Sequence, residues 1–264
     1  MQFNANGFAY GLDRKTGELL SAKPFDTNIN WATGIDLDPA SHNFGRPLRV
    51  DTKSTDRNGV DFNTKNICPT SYGAKGPMPA AYNPGRNIFV VPGFNMCMDL
   101  ELQNATYHQG QPYLGAVHSF FPPEGKSTTG KMIGWDAQRG EAKWSFVEPF
   151  EVQSGVLTTA GNVAFYGTMS GEFKAVSLTD RKVLYSFKIG TGTMGNIVTY
   201  RYKGKQFVAV LAGTGGLPEV GLAAGWEKAT DGLSMPRYAG LRSYVDLGGN
   251  LVVFALPDDG AAKK

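Results

Sequence analysis

Gly190-Thr191-Gly192-Thr193-Met194-Gly195 has the G-x-G-x-x-G spacing of a dinucleotide-binding loop. A pyrophosphate held that way needs a helix directly after the last glycine, whose free N–H groups meet the phosphate oxygens. The next residues are instead Ile197-Val198-Thr199-Tyr200 and Gln206-Phe207-Val208-Ala209-Val210, joined by Lys203-Gly204-Lys205, and they read as a β-hairpin. The glycines therefore belong to a turn. His42, His108 and His118 have no partner at zinc-ligand spacing, and Cys68 and Cys97 lie too far apart for a C-x-x-C pair. Asp36-Leu37-Asp38 and Asp99-Leu100-Glu101 alternate acids as calcium loops do, but neither has the full ligand run, and both read as solvated turns. Asn104-Ala105-Thr106 has the pattern of a glycosylation sequon. The two cysteines suit either buried thiols or one disulfide, and a disulfide would imply an oxidising compartment. No Ser, His and Asp set forms a nucleophilic centre, so residue types alone describe a β-rich array without a visible catalytic group.

The elements that must position these residues are announced by a repeated turn. Asp13-Arg14-Lys15-Thr16-Gly17 returns as Asp136-Ala137-Gln138-Arg139-Gly140, and more weakly between Ala175 and Tyr185. Asp caps such a turn and Gly accepts its positive φ. A turn repeated through a strand-rich chain signals propeller blades or a similar array. Strands are expected at 131–136, 142–147, 155–159, 162–167, 172–177, 182–187, 196–202, 205–212 and 250–256. Residues 1–22 read as a hairpin and Ile88-Phe89-Val90-Val91-Pro92 as a buried strand. The prolines of 23–87 make that stretch irregular, and 101–130 and 217–243 read as further excursions within a single domain spanning 1–264. Thirty-four glycines and fifteen prolines in 264 residues suit short strands and tight turns. The net charge of +3 is mild and scattered, which argues against nucleic acid, and no apolar run is long enough to span a bilayer. The chain opens inside a strand–turn–strand pattern, so it is expected to be one arc of a ring whose other half lies upstream of Met1.

Segments spread over nearly the whole chain resemble the large subunit of PQQ-dependent alcohol dehydrogenases, nearest to the lanthanide-type methanol dehydrogenase branch. They include Asn6-Gly7-Phe8-Ala9-Tyr10-Gly11-Leu12-Asp13-Arg14, Asn30-Trp31-Ala32-Thr33 and Asn63-Thr64-Lys65-Asn66-Ile67-Cys68-Pro69. Pro79-Ala80-Ala81-Tyr82-Asn83-Pro84, Cys97-Met98-Asp99 and Gly110-Gln111-Pro112-Tyr113-Leu114-Gly115-Ala116 come next in family order. Thr159-Ala160-Gly161-Asn162-Val163-Ala164-Phe165-Tyr166-Gly167-Thr168, Gly204-Lys205-Gln206-Phe207-Val208-Ala209-Val210, Leu247-Gly248-Gly249 and Val253-Phe254-Ala255-Leu256-Pro257 complete the set.

The resemblance implies an all-β fold, the C-terminal arc of an eight-bladed propeller, with about four four-stranded blades and long insertions. It implies that Cys68 and Cys97 form the family's structural disulfide in a periplasmic protein. It implies PQQ with calcium or a lanthanide, a primary alcohol oxidised to an aldehyde, and a cytochrome c taking the electrons. The family's catalytic Asp, its metal ligands and its adjacent-cysteine disulfide belong upstream, so no catalytic or metal residue is assigned here and this chain alone is expected to be inactive. What carries over is a cofactor wall at Ala5, Asn6, Lys75, Gly76, Gln153 and Leu217, and it departs from pattern. Ala5 stands where the family has Arg or Lys, Gly76 where it has Asn or Asp, and Gln153 and Leu217 where it has Trp. Lys75 is placed to restore a charge. These replacements motivate an alternative, a non-catalytic quinoprotein-like propeller that binds a partner. An isolated half-ring is also expected to self-associate through its open edges.

Overall fold

A computed structural model describes residues 1–110, 113, 115–216, 218, 238 and 240–256. The repeated turn is its most regular local feature. Asp13 Oδ1 accepts the amides of Lys15 and Thr16 at 2.8 and 2.9 Å, while Gly17 N donates to Asp13 O at 2.9 Å. Asp136 Oδ1 accepts Gln138 N and Arg139 N at 3.0 Å each, and Gly140 N donates to Asp136 O at 2.9 Å. The weak third copy keeps the geometry with other residues. Ser177 Oγ accepts Thr179 N and Asp180 N at 3.2 and 3.0 Å, and Arg181 takes the glycine's place at φ 58°. A short acceptor side chain that bonds the backbone two and three residues on supports all three turns.

Each turn joins the last two strands of an antiparallel sheet. Sheet I holds β1 (Gln2–Phe3), β2 (Phe8–Leu12) and β3 (Leu19–Pro24). A small hairpin of β4 (Ala32–Ile35) and β5 (Pro47–Arg49) comes next, then β6 (Asn63–Ile67). Sheet II orders β7 (Ala81–Asn83), β8 (Ile88–Phe94), β11 (Gly130–Asp136) and β12 (Glu141–Glu148). Between β8 and β11 the chain leaves to build β9 (Cys97–Leu102) and β10 (Ala116–Phe121), which pair with β6 as a separate three-stranded sheet. Sheet III runs β13 (Leu157–Thr158), β14 (Val163–Gly167), β15 (Glu172–Ser177) and β16 (Val183–Lys188). Sheet IV contains β17 (Ile197–Tyr202), β18 (Lys205–Gly213) and β19 (Gly249–Ala255).

The four sheets stack face to face, as blades do. Phe3 and Ala9 of sheet I meet Val91, Ile133 and Trp135 of sheet II. Ile88, Val90 and Met132 of sheet II meet Ala164, Tyr166 and Val176 of sheet III. Phe173 of sheet III meets Ile197, Val208 and Val210 of sheet IV. Successive side chains of a strand point to opposite faces. Val90 and Val91 therefore serve two different interfaces, which explains why β8 reads as a continuous apolar run. The free side of sheet I is covered by the β4–β5 hairpin, through Phe8, Ala22, Ala32 and Ile35.

The all-β propeller arc expected from the sequence is what folds, with two refinements. Sheets II and III have four strands, whereas sheets I and IV have three among the described residues. The stretches 23–87 and 101–130 are not simply irregular, since they carry β4 to β7 and β10. Short strands with few alternating apolar residues left no period to read there.

Candidate functional site

Loops that connect or precede successive sheets are tied to one another by backbone hydrogen bonds. Ala74 N donates to Ala5 O at 2.7 Å, linking the start of sheet I to the loop before β7. Val156 N donates to Pro79 O at 3.2 Å and Gly155 N to Gly195 O at 3.3 Å, extending these ties to the loop before β17. The 190–195 glycine run lies here as a loop leading into the β17–β18 hairpin, as its sequence predicts, with Gly213 N bonded to Gly192 O at 2.7 Å. Of the positions read as a cofactor wall, Ala5 is bonded to Ala74, which precedes Lys75 and Gly76 in the chain. Ala5 and Asn6 line a common cavity with Gly73, and Gln153 lies two residues before Gly155. Leu217 lies outside the described residues.

Their chemistry differs from what a cofactor wall needs. Ala5 is exposed and carries no donor. Gly73 packs so closely on it that a Cβ there would sit 2.6 Å from Ala5 Cβ. Asn6 is engaged internally: Nδ2 donates to the Tyr10 hydroxyl at 2.7 Å, Oδ1 accepts Phe8 N at 3.1 Å, and its carbonyl accepts Trp31 Nε1 at 3.2 Å. Gly76 has no side chain, and a Cβ there would meet the Met78 sulfur at 2.9 Å and the Phe94 ring at 3.1 Å. Lys75 is buried, and its ammonium donates to the carbonyls of Gly76 (2.9 Å) and Met78 (2.5 Å). Burial holds that amine below the ordinary lysine range. Gln153 is half-buried and neutral. PQQ is a polyanion whose carboxylates need cations or donors when removed from water. The expected wall residues do not by themselves fit it.

Two features were not legible in the sequence. One is a cavity of about 300 Å³ against Ala5, with Trp31, Ile67, Met98 and Leu100 as apolar lining and Asn6, Thr70, Ser71 and Lys53 as polar groups. The other is a buried ion pair, Lys131 Nζ to Asp26 Oδ1 at 2.6 Å, with side chains 9% and 1% exposed. Asn28 and Asn95 form a second polar contact in the same region, Asn28 Nδ2 donating to Asn95 Oδ1 at 2.7 Å. Between sheets II and III, Glu148 binds Lys174 Nζ at 2.8 Å and accepts the Tyr166 hydroxyl at 2.7 Å. Burial, then the Glu148 charge, push that phenol far above its ordinary value, so it stays a donor.

Cys68 and Cys97 are joined by a disulfide, tying the end of β6 to the start of β9. His42 and His108 are exposed, and His118 lies on Phe120 with ring centroids 4.5 Å apart. Among the described residues no group of three or more His, Cys, Asp or Glu could hold a metal ion.

The stacked antiparallel sheets and the loops that tie them define a partial β-propeller. The chain matches no family model. It is 49% identical over 259 residues to the lanthanide-dependent methanol dehydrogenase of Methylorubrum extorquens, covering 97% of this chain and 43% of that protein. Subunit 1 of the methanol dehydrogenase [cytochrome c] of Paracoccus denitrificans is 34% identical over 256 residues, 95% of this chain and 39% of that one. Among solved structures, a europium-containing methanol dehydrogenase superposes with a TM-score of 0.86 at 40% identity, covering 96% of this chain and 44% of that one. Along nearly its whole length the chain is similar to the C-terminal portion of PQQ-dependent alcohol dehydrogenases. It spans less than half the length of each of these relatives.

Proposed function

We propose that these residues form the C-terminal arc of a periplasmic alcohol dehydrogenase that oxidises a primary alcohol to an aldehyde and passes the electrons to a cytochrome c. The observation that carries this reading is identity near one half over nearly the whole chain to a lanthanide-dependent methanol dehydrogenase. The cytochrome c partner is supported by the Paracoccus relative, which is a methanol dehydrogenase [cytochrome c] subunit. The periplasmic setting is supported by the disulfide. Among the described residues no helix is long and apolar enough to cross a membrane.

PQQ with a metal, a lanthanide before calcium given the relatives, supplies the redox chemistry in this reading. The arc supplies the loops that tie successive sheets; the reacting groups belong to the remaining part of the ring. That remaining part of the propeller is then this chain's first partner, and the open face of sheet IV is where it docks. There Val198, Tyr200, Tyr202, Leu211, Leu251 and Val253 are exposed together.

The test is dye-coupled oxidation of methanol and ethanol by the full propeller, with PQQ and either lanthanum or calcium added. Activity that needs both PQQ and metal supports the reading. A folded propeller that stays inactive under all combinations removes it and favours a second reading, a non-catalytic binding propeller, for which Ala5 and Gly76 are the specific observations.

A further inference from the structure

The cavity of about 300 Å³ beside Ala5 has an apolar side and a polar side. On the apolar side β6 brings Ile67, and β9 brings Met98 and Leu100, which alternation along a strand places on one face. Trp31 completes that side, packed against Ile67 and Met98 in one direction and the β4–β5 hairpin in the other. Its indole N–H is held on Asn6 O at 3.2 Å, which fixes the ring.

The polar side offers little to a charge. Asn6 is bonded to Tyr10 and Phe8, Thr70 Oγ1 accepts Tyr72 N at 3.2 Å, and the Lys53 ammonium donates to Lys65 O at 2.7 Å. Among the described residues no carboxylate lines the space. A charged ligand would leave water for a mostly apolar lining, which is costly, whereas an uncharged one gives up little. Such a ligand finds apolar surface and the hydroxyl of Ser71, which is exposed and so stands at the open side. Size narrows the choice: a water takes about 30 Å³ in the liquid, so the cavity has room for a chain of several carbons.

We propose that this cavity holds the carbon chain of an uncharged alcohol, so that the protein takes medium-chain primary alcohols in preference to methanol. The inference rests on the alcohol-oxidising reading above and narrows its substrate class. Each methylene moved from water onto Trp31, Met98 and Leu100 adds a similar increment of transfer free energy. Affinity therefore rises about three- to fourfold per added carbon until the space is full.

The experiment is a titration of the full propeller with methanol, 1-butanol, 1-hexanol and hexanoate, read by tryptophan fluorescence and thermal melts. The KM of each alcohol in the dye-coupled assay follows. Affinity is expected to climb from methanol to 1-hexanol, with hexanoate binding no tighter than 1-hexanol. Ser71→Trp places a large ring at an exposed position of the lining and is expected to weaken 1-hexanol at least tenfold more than methanol. Leu100→Asn makes the apolar side polar without filling the space, and is expected to weaken 1-hexanol in the same sense. Affinities that do not depend on chain length overturn the proposal, and so does hexanoate binding tighter than 1-hexanol. Folded Ser71→Trp and Leu100→Asn variants that bind 1-hexanol as the unaltered protein does overturn it too. Binding that grows with chain length, without oxidation of any alcohol, leaves the cavity as an alcohol site and removes the dehydrogenase. Methanol oxidation with no preference for longer chains removes the proposal and leaves the dehydrogenase.

Discussion

Lys131 and Asp26 are the pair on which a single substitution should tell most. Both side chains are almost wholly out of water. Removing one partner leaves the other as an uncompensated buried charge, which costs about 3–5 kcal/mol. Lys131→Met is therefore expected to lower the unfolding free energy by that amount in urea melts. The double change Asp26→Leu with Lys131→Met should recover most of it. The disulfide makes a second residue-scale test. It closes a loop of sequence separation 29, for which the chain-entropy model gives about 3–4 kcal/mol. Replacing both cysteines with Ala should cost a similar amount. The cysteine pairing could be read from sequence only through the resemblance, because two cysteines allow thiols as well as a bridge. The Asp26–Lys131 pair had no sequence signal at all: 105 residues separate its partners, and only the packing of sheet II on the loop after β3 unites them.

The turns were legible as elements because their chemistry is local. Asp13 and Asp136 each accept backbone amides within three residues, a pattern written in five consecutive letters. Those amides, Thr16 ahead of Lys15 for the first and Arg139 foremost for the second, hold both carboxyls below the ordinary aspartate value of 3.8. A depressed carboxyl contributes stability that is present above 3.8 and is lost as pH falls through its folded-state value. Acid titration by NMR should show both carboxyls titrating below 3.8 while the turns loosen on the acid side. The third turn makes a sharper prediction. Arg181 sits at φ 58°, where a Cβ is strained and glycine is not. Arg181→Gly should therefore leave stability unchanged or raise it by up to about 1 kcal/mol, against the usual cost of adding glycine. In the strands the opposite holds at Gly134, over which the Trp144 ring lies so closely that a Cβ would come within 2.0 Å of it. Gly134→Ala should cost about 1–3 kcal/mol by forcing that ring aside. Of the strands missed in 23–87 and 101–130, β6 pairs far along the chain with β9, where no turn marks it. Strands β4, β5 and β7 pair locally and are only three or four residues long, too short to show a period.

At the scale of the whole molecule, the sequence announced an arc through its repeats, and the stacking of sheets I to IV bears that out. It could not announce which face would be left open. Sheet IV buries one side on Phe173 and its neighbours and leaves six large apolar residues exposed. Patches of that kind mark interaction surfaces. Residues 1–264 expressed by themselves are expected to sediment at micromolar concentration as a species larger than the 28.5 kDa monomer. Tyr200→Lys with Leu251→Lys should shift that species toward the monomer. A monomer already present before the substitutions would sink the expectation.

The detour between β8 and β11 has a consequence for the order in which the molecule can be made. Sheets III and IV pair strands that are consecutive in the chain, so each hairpin needs only a short loop to close, except where β19 returns to β18. Sheet II differs in where its long closure falls. It joins Ile88–Phe94 to Gly130–Asp136 at the centre of the ladder, across the excursion that builds β9 and β10, whereas the equally long closure in sheet IV adds only the edge strand β19. Closing a longer loop costs more chain entropy and slows assembly. On a ribosome, β8 must therefore wait with an apolar face uncovered until the guest sheet has emerged. Sheet II is thus the stretch where a chaperone would have most to hold.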